Sequence, residues 1–83
     1  MAEEISVEVE LRGLLQHYAS PEAGVKFSRT LPTGATVADL LAGLDLPARL
    51  VGLTAVNGRQ AGREQVLANG DRVRIFPPFL AGG

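Results

Sequence analysis

The two residues of this chain best placed to do chemistry have no side chain. Gly82 and Gly83 end the sequence, so a free carboxylate on Gly83 would sit on a tail no wider than the backbone, the shape that threads a narrow active-site tunnel. Such a carboxylate is a poor electrophile until it is activated, so chemistry at Gly83 calls for a partner. The pair by itself equally fits a frayed, solvent-exposed terminus. Support for the chemical reading has to come from the remaining residues.

Those residues hold no competing catalytic constellation. The chain has no cysteine, which excludes disulfides, thiolate-bound zinc or iron–sulfur sites, and a thiol nucleophile of its own. His17 is the only histidine, and Ser6, Ser20 and Ser28 fall in strands or a turn with no histidine beside them, so a hydrolytic triad is excluded. One histidine among scattered acids makes no metal site, and none is expected. Glu8 and Glu10 share one face of a strand, where a solvated pair is favoured over acid–base work. Gly62-Arg63 lacks the Lys-Ser/Thr of a phosphate-binding loop. The chain is therefore expected to be no enzyme by itself and to bind no cofactor.

Composition sets the frame. The 83 residues suffice for one domain, and 46% apolar with 20% charged residues allows a packed core. The start, Met1-Ala2-Glu3-Glu4, lacks the basic and apolar regions of a signal peptide, and no stretch is long enough to span a membrane, so a cytoplasmic monomer is expected. A net charge of −1 gives no field for nucleic acid or a membrane surface. Its distribution is uneven: residues 1–45 carry three basic and seven acidic side chains, and residues 46–83 carry five arginines and two acids. The basic half holds the tail, and either offers a collar to an acidic partner or is a solvated Arg-rich surface.

The elements that would position Gly83 follow from hydrophobic periodicity. Ile5, Val7, Val9 and Leu11 alternate with polar residues, the period-two pattern of a half-buried strand. After Leu14-Leu15 and a polar loop around Ser20-Pro21-Glu22-Ala23-Gly24, Val25, Phe27 and Leu31 predict a second, antiparallel strand. Thr36 with Asp39 forms a capping box, and Val37, Leu40, Leu41 and Leu44 predict a short helix with one apolar stripe, ending near Gly43. Leu53, Ala55 and Val56 predict a largely buried third strand, turned at Asn57-Gly58 into a short return over Arg59-Gln60-Ala61. A second turn at Asn69-Gly70-Asp71 leads into Arg72–Phe76, with Val73 and Ile75 inward and Arg72 and Arg74 outward. The order β-β-α-β-β predicts an α+β roll, a mixed sheet crossed by one helix. Residues 1–78 would form this domain and residues 79–83 the tail.

Pro77-Pro78 must end the last strand, since proline cannot donate to the ladder, and both prolines stiffen the exit. Phe79, Leu80 and Ala81 then form an apolar stretch that a free monomer gains nothing by exposing. Docking to a partner accounts for it; Phe79 folding back over the core is the alternative.

The segments Ala55-Val56-Asn57-Gly58, Leu67-Ala68-Asn69-Gly70-Asp71-Arg72-Val73, Ile75-Phe76-Pro77-Pro78 and Ala81-Gly82-Gly83 resemble, in order along the whole chain, the ThiS/MoaD family of ubiquitin-like sulfur carriers. The resemblance implies a β-grasp fold, and a Gly83 carboxylate that a ubiquitin-activating-type enzyme adenylates with Mg-ATP and a sulfurtransferase or persulfide converts to a thiocarboxylate. Phe-Pro-Pro before the tail is most similar to the small subunit of molybdopterin synthase. That implies a tail inserted into the large subunit, with Gly82 giving access; from the residues themselves, Phe76, Pro77, Pro78, Phe79, Leu80 and Ala81, with Arg72 and Arg74 outward on the adjoining strand, are expected to meet a partner. The sequence departs from the family pattern at Leu11-Arg12-Gly13 and in the bulky pair Phe79-Leu80. A thiamine-pathway carrier, a ubiquitin-like modifier conjugated through Gly83, and a β-grasp interaction module without sulfur chemistry stay open.

Overall fold

The computed structural model describes residues 3–18 and 24–78. Among these residues five strands form one sheet: β1 (Glu4–Leu11), β2 (Lys26–Pro32), β3 (Leu53–Val56), β4 (Arg59–Gln60) and β5 (Arg72–Phe76), in the spatial order β2-β1-β5-β3-β4. β1 runs antiparallel to β2 and parallel to β5, and β3 runs antiparallel to both β5 and β4. One α-helix, α1 (Val37–Gly43), and two 3-10 helices, Gly13–Tyr18 and Ala48–Leu50, complete the described residues. This is the β-grasp roll, with the return after Asn57-Gly58 forming a strand of its own. No described helix is long and apolar enough to cross a membrane.

The alternation of β1 places Val7, Val9 and Leu11 against Val73 and Ile75 of β5, all essentially inaccessible to water. Val37, Leu40 and Leu44 bring the helix stripe onto this layer. The capping box is formed: the Asp39 amide donates to Thr36 Oγ1 at 3.3 Å and the Thr36 amide donates to Asp39 Oδ2 at 2.9 Å. The next orphan donors of the first turn, the Val37 and Ala38 amides, reach the carbonyls of Gln65 and Arg63 at 3.0 and 2.9 Å. So the long connection to β5 is tied to the helix start. Asn57 (φ 52) and Gly58 (φ 86) both adopt the left-handed conformation of a tight hairpin turn.

Two expectations change in detail. Residues 13–18 are helical, and Leu15 enters the core completely while Leu14 stays half exposed. In β3 the inward positions are Thr54 and Val56; Leu53 is 39% exposed and shares the outer face with Ala55. Ala61 follows β4 and donates to Thr54 O at 2.8 Å. The inner position of Thr54 thus alternates correctly with Val56, a period that counting apolar residues in a four-residue strand does not reveal.

Leu40 is 1% exposed at the centre of the stripe. Leu40→Ala should lower stability by about 2–5 kcal/mol, read as a lower urea midpoint; an unchanged midpoint would show that the helix does not pack through this residue.

Candidate functional site

The site is the place where β5 leaves the sheet. Of the residues expected there, Arg72, Arg74, Phe76, Pro77 and Pro78 are described, whereas Phe79, Leu80, Ala81, Gly82 and Gly83 lie outside the described residues. Backbone bonds hold the exit on both sides: the Arg12 amide donates to Ile75 O at 2.9 Å and the Gly52 amide donates to Phe76 O at 2.8 Å.

Two glycines then make room for the prolines. A Cβ on Gly52 would stand 2.6 Å from Pro78 N and 2.7 Å from Pro77 O, distances at which backbone must move. A Cβ on Gly13 would meet the Pro77 ring at 3.0 Å, and Gly13 sits at φ +58, which other residues seldom adopt. The path of Pro77-Pro78 therefore depends on both glycines. Neither was legible as a site residue from sequence. The available signal was that Gly52 sits between two apolar residues, with no turn to require it.

Phe76 is half-buried on the outer face, beside the exposed Leu53 that pairs with it in register. The Arg12 guanidinium lies 5.9 Å from the centre of its ring, within reach of a cation–π contact. Arg72 and Arg74 point outward as expected, but neither is an unopposed charge. In the parallel register Glu8 faces Arg72 and Glu10 faces Arg74, giving Nε to Oε1 distances of 3.8 and 3.2 Å. Arg12 reaches Glu10 at 3.0 Å and Lys26 reaches Glu8 at 4.0 Å. Four cations around two carboxylates leave the face net positive. Glu8 and Glu10 are thus structural counter-ions. Among the described residues no cluster of His, Asp and Glu could hold a metal, and His17 is exposed on the first 3-10 helix.

Arg72 is also tied down from its backbone side. Its amide donates to Asn57 Oδ1 at 2.9 Å, while Asn57 Nδ2 donates to Asp71 Oδ1 at 2.9 Å and the Ala68 amide donates to Asp71 Oδ2 at 2.8 Å. The two turns that the sequence marked are thereby latched to each other at the start of β5.

Residues 4–82 match the family model described as Mut7-C ubiquitin. The chain belongs to this ubiquitin-like family. Among solved structures it is similar to SAMP1 from Haloferax volcanii, at 26% identity and TM-score 0.75, over 93% of this chain and 99% of that one. It is similar as well to a Pyrococcus furiosus protein provisionally assigned as molybdopterin converting factor subunit 1, at 25% identity and TM-score 0.75, over 90% and 99%. The Haloferax volcanii HVO 2177 protein shares the fold at 24% identity and TM-score 0.79, over 98% and 89%. No curated protein sequence matches the chain. The Mut7-C ubiquitin chain is in these terms a ThiS/MoaD-like ubiquitin-like protein.

Burial pushes the Glu10 carboxyl up, but the hydrogen bonds and charges of Arg12 and Arg74 outweigh it and hold its pKa below the ordinary value of 4.5. A carboxylate with a depressed folded pKa contributes stability that is present above 4.5 and lost as the pH falls through the folded value. The melting temperature of Glu10→Gln should lie below that of the native chain at neutral pH, and the gap should close in acid. A gap independent of pH would contradict this role for Glu10.

Proposed function

We propose that this chain is a ubiquitin-like sulfur carrier that reacts at the Gly83 carboxylate, and that the surface around Phe76 docks it on the enzymes that act there. The supporting observation is the seating of Pro77-Pro78 against Gly13 and Gly52, which directs the chain out of the sheet beside an apolar patch of Phe76 and Leu53 ringed by Arg12 and Arg74. Five residues reach at most about 18 Å beyond Pro78 when extended, so an enzyme acting on Gly83 must bring its active site within that distance of this patch.

The chemistry follows from the weakness of a carboxylate as an electrophile. A Gly83 oxygen attacks the α-phosphate of Mg-ATP on a ubiquitin-activating-type enzyme, releasing pyrophosphate and leaving an acyl-adenylate. A persulfide sulfur on a sulfurtransferase displaces AMP. A second thiol then cleaves the S–S bond, takes the sulfurtransferase sulfur into a disulfide, and leaves a thiocarboxylate on Gly83. The sulfur must come from partners, because the chain has no cysteine. The likeness to the Pyrococcus furiosus protein favours the large subunit of molybdopterin synthase as acceptor and molybdenum-cofactor synthesis as the pathway. The likeness to SAMP1, a small archaeal modifier protein, favours a second outcome for the same adenylate, acylation of a lysine on a target. The two part at the nucleophile and share every step before it.

ATP–pyrophosphate exchange with the cognate adenylating enzyme tests the reading. Removing Gly83 should abolish exchange and leave the circular dichroism spectrum unchanged; full exchange without Gly83 would overturn the proposal. Gly52→Ala should retain the sheet spectrum but lower kcat/KM for exchange by about 10- to 100-fold, the usual consequence of a misdirected reacting group. An unaltered kcat/KM would show that the path of Pro77-Pro78 does not set the reach of the tail.

A further inference from the structure

β2 ends the sheet, and among the described residues its outer edge pairs with nothing. The parity of its ladder is set by the Leu11 amide donating to Val25 O at 2.8 Å and the Thr33 amide donating to Glu3 O at 3.0 Å. Phe27, Arg29 and Leu31 stand in step with those residues and turn their backbone polar groups toward β1. The N–H and C=O groups of Lys26, Ser28 and Thr30 therefore point away from the sheet. A seven-residue edge is long enough to template another strand.

Beside this edge the helix does not cover the sheet. An open groove of about 360 Å³ lies there, lined by Leu11, Tyr18, Phe27, Arg29, Leu44 and Leu46. Its floor is apolar, and Tyr18 is 45% exposed. Arg29 projects on this side, 5.6 Å from the centre of the Phe27 ring, and has no carboxylate within ion-pair distance among the described residues. The strand carries Lys26 and Arg29 and no acid; Asp45 lies on the groove wall formed by the end of α1.

We propose that β2 and this groove receive an extended peptide segment of a partner protein, apolar at alternate positions and carrying acidic residues, which adds to the sheet as a sixth strand. Its backbone would pair with the outward groups of Lys26, Ser28 and Thr30. Apolar side chains on the groove face would cover Phe27, Leu44 and Leu46, a carboxylate in step with them on that same face would meet Arg29, and carboxylates on the opposite face would meet Lys26. Main-chain bonds supply affinity in this mode and the side-chain pockets supply selectivity. A second copy is the poorer occupant: two β2 edges paired antiparallel about their midpoint bring Arg29 against Arg29, with no acid on either strand to offset the repulsion. The inward-pointing Arg29 thus opposes self-pairing in that register and favours a carboxylate on the groove face of an added strand. The proposal stands independently of the chemistry at Gly83.

The test is selection of random dodecapeptides displayed on phage against the full chain, followed by an NMR titration with the synthetic consensus. Peptides that alternate β-branched with acidic residues and carry one further acid in step with the apolar positions should be enriched, and the consensus should protect the Lys26, Ser28 and Thr30 amides from hydrogen exchange. Arg29→Glu should weaken binding by about tenfold or more, as expected for loss of a charged hydrogen bond. Thr30→Pro removes an outward donor without touching the β1 ladder, a change edge strands tolerate, and should abolish binding with the β1 and β5 resonances in place. The proposal is overturned by failure to enrich acidic peptides, by equal binding to both variants, by shifts centred on Phe76 and Leu53, or by concentration-dependent self-association that protects the same amides.

Discussion

The rest of the structure depends on the parallel pairing of β1 with β5. Strands far apart in sequence lie side by side at the centre of the sheet, with Glu8 to Leu11 in register with Arg72 to Ile75. A parallel pair cannot be closed by a hairpin, so the intervening residues must cross over, and the crossing chain carries the helix whose stripe seals the core. The same pairing brings the end of β1 to the end of β5. Arg12 and Gly13 therefore stand where Phe76 and Pro77 leave the sheet, and β3, on the other flank of β5, brings Gly52 to the opposite side. The position of Pro77-Pro78 at the exit from the sheet is a consequence of topology.

Electrostatics on the outer face follows from that register. Each arginine of β5 faces a glutamate of β1, with Arg12 and Lys26 as further cations at the ends of the array. Exposed pairs of this kind are screened by solvent and contribute little, so their weight in folding is small beside the core. Their arrangement still shapes recognition. It leaves Phe76 and Leu53 as an apolar patch with arginines at its rim, and a positive field moderated by glutamates instead of an unbroken basic collar.

Much of this was legible in the sequence where the signal is local. The alternation of β1 and β5, the Thr36–Asp39 capping box, the helix stripe, and the turns at Asn57-Gly58 and Asn69-Gly70-Asp71 each depend on residues within a few positions of one another, and the structure forms them all. The helix at residues 13–18 was not legible, because one buried leucine, Leu15, gives no period. The inward face of β3 was misassigned because Thr54 takes a core position that an apolar count gives to Leu53. Gly13 and Gly52 were invisible as site residues for a further reason. Their role is to stay out of the way of Pro77 and Pro78, residues distant in sequence, and only the tertiary pairing reveals the approach.

The central claim is that the Gly83 carboxylate is the reacting group and that sulfur is what it carries. Top-down mass spectrometry of the chain purified from cells grown with ample sulfur tests it most directly, since fragmentation reads both the C-terminal residue and the atom attached to it. The account predicts a fraction of molecules that end at Gly83 with one oxygen replaced by sulfur, and loss of that fraction on alkylation of the thiocarboxylate. A terminus at any other residue, or an unmodified Gly83 in every molecule even when the adenylating enzyme and its sulfur donor are supplied, would contradict it.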